Sequence, residues 1–103
     1  WLNADVKKLT FNEKDKFKIP HMGWNDLVVN RNSYFFKKNQ KYRFYFVHSY
    51  HVICNDQDNL TTYTNYGLKI TSSFEKKNIF GLQFHPEKSH SFGKELMKKY
   101  ISI

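Results

Sequence analysis

The sequence predicts a β-rich α/β unit: several strands closed by a single terminal helix. Three observations carry that reading. Apolar and polar residues alternate along most of the chain; β-branched and aromatic runs are bounded by Asn, Asp, Gly and Lys clusters; and an i, i+4 apolar repeat occurs at the C-terminal end.

In chain order, the first expected strand spans 26–30 (Asp-Leu-Val-Val-Asn), and 33–38 is expected to form a helical turn. A longer strand covers 41–53, whose Tyr, Phe, Val and Ile content suits a pleated, half-buried surface. The polar run 55–59 is a connection in which Asn and Asp can hydrogen-bond their own backbone, and it leads into a strand over 60–65. Asn65, Tyr66 and Gly67 mark a hairpin bend, and 79–85 reads as the last strand. The helix spans 91–101. Phe92, Leu96 and Tyr100 recur there at i+4, Glu95 and Lys99 form an i, i+4 charge pair on another face, and Ser89 or Ser91 can cap the start. Gly93 in its first turn costs about 1 kcal/mol of helix propensity. No repeat, low-complexity tract or linker divides the chain.

With 103 residues the chain is one domain at most. A domain of that size buries only about 60–70% of its unfolded surface, so its stability is expected to be marginal. Cys54 is the only cysteine, which excludes a disulfide-stapled scaffold and a multi-cysteine zinc site. No apolar run approaches the ~18–20 residues that cross a bilayer, and no charged start precedes an apolar stretch. The expected compartment is the cytoplasm, with no membrane partner.

Seventeen Lys and Arg against nine Asp and Glu give a net charge of +8, which brings nucleic acid into consideration. The segment 43–50 has the basic and aromatic character of an RNA-binding strand but lacks the two small residues such a motif requires. The lysine pairs at 37–38, 76–77 and 98–99 fall on separate elements and read as solvated faces. No nucleic-acid partner is therefore expected, and a single-stranded RNA-binding module stays as the alternative from composition. His48 and His51 are three apart, so in one continuous strand their rings point to opposite faces and cannot share an ion. No metal site is expected.

The sharpest local signal is Gln83-Phe84-His85-Pro86-Glu87-Lys88-Ser89. Pro86 drives His85 out of the α region, which puts His85 and Glu87 two apart on an extended segment and facing the same way. A carboxylate beside an imidazole can accept the Nδ1–H bond and raise the basicity of Nε2, the arrangement that aims a general base at a nucleophile. The same spacing also suits an ordinary surface turn. The nucleophile itself is not evident: Cys54, in Val52-Ile53-Cys54-Asn55, lacks the glycine-lined sharp turn that exposes a reactive side chain and reads as a buried small hydrophobe.

The stretch Gln83-Phe84-His85-Pro86-Glu87 resembles the second half of the active site of class I (triad) glutamine amidotransferases. Pro20-His21-Met22-Gly23-Trp24-Asn25, Tyr45-Phe46-Val47-His48-Ser49-Tyr50 and Lys88-Ser89 narrow the likeness to the glutaminase subunits of imidazole glycerol phosphate synthases. The resemblance covers nearly the whole chain with the motifs in order.

It implies a three-layer, flavodoxin-like domain whose central mixed sheet carries additional antiparallel strands. Residues 1–103 would form the C-terminal part of that one domain, β-rich and ending in a helix. It also implies a reaction without a cofactor. A cysteine on a nucleophile elbow attacks the side-chain amide of L-glutamine, forms a glutamyl thioester and releases ammonia to a (β/α)8-barrel cyclase partner in histidine biosynthesis. By the same resemblance His85 is the base and Glu87 its orienter, while His48, Ser49 and Tyr50 hold the amino-acid end of glutamine. His21, Met22, Trp24, Asn25, Tyr45 and Lys88 would face the barrel, Lys88 by pairing with an acidic residue. The elbow and oxyanion loop of the family are not among these residues, and the sequence opens at Trp1 where the middle of such a protein is expected. The expectation is therefore a C-terminal half that needs an N-terminal half bearing the nucleophilic Cys and is inactive alone. Relatives that amidate surface sugars leave a second acceptor open.

Overall fold

Strict inside–outside alternation makes Tyr42–His48 a strand: Phe44, Phe46 and His48 are buried while Arg43, Tyr45 and Val47 are not. The computed structural model describes residues 4–11, 17–77 and 79–102; Trp1 lies outside them. Its elements are β1 (Ala4–Lys8), β2 (His21–Val29), β3 (Tyr42–His48), β4 (Tyr50–Cys54), β5 (Leu60–Asn65), β6 (Lys69–Lys76), β7 (Ile79–Leu82) and α1 (His90–Ile101). Five strands pair in the order β3-β2-β5-β6-β7, every pairing antiparallel, and β1 and β4 form a separate antiparallel ribbon.

The five-stranded sheet curls until its two ends meet. Beyond β7 the chain returns to β3, where His85 forms a bridge with Tyr45 and Phe84 stacks on Phe44 with centroids 4.0 Å apart. Inside the curl lie Leu27, Phe35, Phe36, Phe44, Phe46, Phe84 and Leu96, the last contributed by α1. Burying each such side chain is worth roughly 1.5–3 kcal/mol, and Phe36 meets Phe44 and Phe84 edge to face. The antiparallel strands and the closing helix agree with the β-rich unit that alternation and the C-terminal i, i+4 repeat predict.

Several expected elements differ in detail. The strand expected over 41–53 is broken at Ser49, and its two parts belong to different sheets. The Ser49 carbonyl accepts the N–H of Leu9 at 2.7 Å, while the Tyr50 carbonyl accepts a bond from the His48 ring. The backbone is thus captured by the segment that follows β1 and turned away from β3. The segment 33–38 is not helical. Ser33 closes it locally, its N–H donating to Phe36 O at 2.8 Å and its Oγ accepting the Phe36 N–H at 3.1 Å, an alternative that serine offers to helix bonding.

The strand expected over 26–30 starts earlier, at His21, and that expected over 79–85 ends at Leu82, before the Pro86 turn. Strands β1 and β6 lie outside the expectations. Within β6 the buried Ser72 and Ser73 hydroxyls are satisfied by Thr62 and Thr61 of β5, each at 2.7 Å, so the strand is buried without being apolar. On α1, Glu95 pairs with Lys98 at 3.8 Å instead of Lys99, whose ammonium donates to the Phe35 carbonyl at 3.2 Å. The helix has 12 residues, and among the described residues no helix is long and apolar enough to cross a membrane.

Candidate active site

His85 follows β7 with an extended backbone (φ −105°, ψ 98°), as a residue before proline must, and its N–H donates to Tyr45 O at 2.8 Å. Pro86–Lys88 is a 3-10 turn that brings Glu87 back over the imidazole, with Oε1 2.8 Å from Nδ1 of His85. The pair therefore meets through a turn, and not by the alternation of an extended segment that spacing suggests. A carboxylate only accepts, so Nδ1–H donates, and in the neutral ring the lone pair is then on Nε2. The Glu87 carboxyl is held below the usual carboxylate range, first by its own backbone N–H and then by the bond from His85.

Two features fix this turn from behind. Ser89, fully buried, donates from Oγ to His85 O at 2.6 Å and accepts the Tyr45 N–H at 3.0 Å. Although Ser89 sits at the N-cap position of α1, its hydroxyl makes no capping bond. Gly93 then lets the helix approach the turn: a Cβ there would run into the carbonyl oxygen of Pro86. The sequence marks Ser89 as a cap and as part of the Lys88-Ser89 stretch but not as a buried clamp on the turn, and it holds no signal that Gly93 is a close-approach glycine.

His48, at the end of β3, donates from Nδ1 to Tyr50 O at 2.8 Å and receives at Nε2 a bond from Nδ1 of His21, also at 2.8 Å. Burial, and after it the neighbouring His48, lowers the His21 pKa to about 4; His48 is lowered mainly by burial. Ser49 is half-buried and Tyr50 exposed beside this pair.

Trp24 and Tyr45 are cross-strand neighbours whose rings meet edge to face at 6.1 Å, and Lys88 Nζ stands 6.0 Å from the Tyr45 centroid. Met22 is exposed on the same side of β2. Strand alternation divides the residues expected to face a partner: Met22 and Trp24 point outward, His21 and Asn25 point to the other face. The His21 ring is 2% exposed and stacks between Tyr66 at 4.0 Å and Phe46 at 4.7 Å, so it does not reach the surface assigned to it from sequence. His90, unassigned in the sequence, stacks on Trp24 with the planes 10° apart.

Cys54 is buried at the end of β4, and burial, then Asp56, pushes its thiol up, the opposite of an activated nucleophile. His48 ends β3 of the five-stranded sheet and His51 lies in β4 of the two-stranded ribbon, so the two do not share the one continuous strand expected. Among the described residues no three His, Cys, Asp or Glu side chains gather to hold a metal ion.

Residues 5–102 match the family model described as glutamine amidotransferase class-I. The chain belongs to the class-I glutamine amidotransferase family. Among amidotransferase relatives it is 48% identical over 98 residues to the imidazole glycerol phosphate synthase subunit HisH 2 of Methanococcus maripaludis, covering 94% of this chain and 48% of that protein. It is 40% identical to the subunit HisH 2 of Pseudomonas aeruginosa, over all of this chain and 50% of the relative. The chain thus spans about half the length of the curated relatives it matches. A crystal structure of a Thermoplasma acidophilum protein, described as a component of GMP synthase, superposes with a TM-score of 0.71 at 22% identity, over 96% of this chain and 47% of the other, which supports the amidotransferase fold.

Proposed function

We propose that these residues form the C-terminal part of a glutaminase domain that supplies ammonia to an imidazole glycerol phosphate synthase, and that they carry its general base. The observation that bears most weight is the 2.8 Å bond from His85 Nδ1–H to Glu87 Oε1. It leaves Nε2 free to take a proton from a thiol. His85 accepts the thiol proton as sulfur attacks the amide carbon of L-glutamine, then returns it to the nitrogen that leaves as ammonia. Glu87 holds the ring in the productive tautomer and favours the imidazolium that forms in between.

The nucleophile comes from residues outside these 103, a reading supported by the half-length match to the HisH relatives and by the buried, unactivated Cys54. His48, Ser49 and Tyr50 hold the amino-acid end of glutamine. Trp24, Tyr45 and Lys88, with Met22 beside them, meet a (β/α)8-barrel cyclase partner; two aromatics and a cation are a composition common at energetic centres of interfaces. The names of the relatives favour imidazole glycerol phosphate over a surface sugar as the ammonia acceptor, and a cytoplasmic setting accords with that biosynthetic role.

The test is glutamine hydrolysis by the full-length subunit with and without a cyclase partner. Turnover that the partner stimulates and that His85→Ala abolishes is the expected result. Hydrolysis by the 103-residue chain alone, or indifference to the cyclase, would overturn the corresponding part of the reading.

A further inference from the structure

The two buried histidines are linked into a hydrogen-bond chain whose direction is fixed at both ends. Asn25 Oδ1 accepts the Asp26 N–H at 2.8 Å, so the amide nitrogen is the atom that faces His21 and Asn65. Asn25 Nδ2 donates to His21 Nε2 at 3.3 Å and to Asn65 O at 3.4 Å. His21 Nε2 is therefore unprotonated, and its proton sits on Nδ1, which donates to His48 Nε2 at 2.8 Å. From the other end the logic agrees: Tyr50 O can only accept, so His48 Nδ1 is protonated and Nε2 is the lone-pair nitrogen. One arrangement of protons satisfies every link with both rings neutral; a proton added to His21 Nε2 would face the amide hydrogens of Asn25.

The chain ends on the Ser49–Tyr50 turn, whose other carbonyl, that of Ser49, is held by Leu9. It begins on β2 beside Trp24, whose ring faces the opposite side of the same strand. We propose that Asn25 and His21 are positioning residues, which set the Ser49–Tyr50 backbone for glutamine through His48 and couple that turn to the strand carrying Trp24. This rests on the glutaminase reading, in which residues 48–50 hold glutamine.

The experiment uses the full-length subunit with its cyclase partner. His21→Phe keeps the stacked ring between Tyr66 and Phe46 and removes both nitrogens, whereas His21→Asn keeps a donor near the position of Nδ1. Kinetics are read beside the nitrogen–proton NMR correlations that report the tautomer of each histidine. The wild type should show His48 protonated on Nδ1 only. His21→Phe should raise the KM for L-glutamine about five- to tenfold with kcat changed less than about twofold, and His21→Asn should restore most of the loss. An unchanged KM in a folded His21→Phe subunit overturns the proposal and leaves the glutaminase reading intact. A wild-type His48 protonated on Nε2 does the same, even if no variant folds. A wild-type subunit with no glutamine turnover overturns both.

Discussion

The backbone N–H of His85 donates to the carbonyl of Tyr45 across 2.8 Å, which ties the imidazole that faces Glu87 to the aromatic that carries Lys88. This bond closes the curled sheet between its two ends. A displacement of β3 is thereby transmitted to His85 through one peptide group.

Ser89 makes that closure rigid. Ser89→Ala removes the acceptor of the Tyr45 N–H and the hydroxyl bound to His85 O in a fully buried position. Such an orphaned donor costs about 1–3 kcal/mol. Urea unfolding of the full-length subunit should show a midpoint lowered accordingly, and kcat for glutamine should fall because the base loses its backing.

Gly93→Ala separates two opposing effects by sign. Helix propensity alone would make alanine the better residue by about 1 kcal/mol. The added Cβ would collide with Pro86 O, a backbone atom that cannot swing aside. The expected outcome is net destabilisation of about 1–3 kcal/mol, as for other overpacked sites, with a loss of kcat larger than that of a control such as Lys94→Ala on the exposed face. Thermal unfolding and kinetics check both.

Glu87→Gln tests orientation of the base. An amide can still accept from His85 Nδ1–H, but it does not favour the imidazolium and can turn its NH2 to the ring instead. Because Glu87 is exposed, the unfolding midpoint should hardly move, while kcat should fall about 10²–10⁴-fold. A variant with near wild-type kcat would remove Glu87 from the proposed machinery.

Acid should destabilise the fold through the histidine pair. His21 has a folded pKa of about 4 against 6.5 for a solvated imidazole, so between those values the unfolded chain binds the extra proton. The stability is fully present above pH 6.5 and is lost as pH falls towards 4. His48 and His51, both lowered chiefly by burial, act in the same direction. Melting temperatures measured from about pH 7.5 to about pH 4.5, a range that roughly brackets the titration, should decline, and His21→Phe should flatten the slope.

Much of the architecture was legible because alternation is direct evidence of a half-buried strand. Phe44, Phe46 and His48 read as one face, and the Asn65–Gly67 bend and the terminal helix follow from residue type. The break at Ser49 was not legible, since nothing in Val47-His48-Ser49-Tyr50 says that Leu9, far up the chain, will claim a carbonyl. Strand β6 was missed for a related reason: Thr71, Ser72 and Ser73 look like a loop until the hydroxyl partners of the two serines on β5 are in place. At the site, spacing names His85 and Glu87 as a pair but not the 3-10 turn that brings them together, whereas the inward turn of His21 depended on knowing that β2 begins there. Given that start, parity alone sends His21 and Asn25 to one face and Met22 and Trp24 to the other.

The hydroxyl pairs between β5 and β6 constrain how this sequence can drift. Thr61 bonds Ser73, and Thr62 bonds Ser72 and also reaches Ser73, where water does not penetrate. A single change such as Thr62→Val strands its partner, while matched changes on both strands restore a sound interior. These positions should therefore covary across homologues, with polar pairs exchanged for apolar pairs in step, and a lineage caught midway would carry a weakened seam along the middle of its sheet.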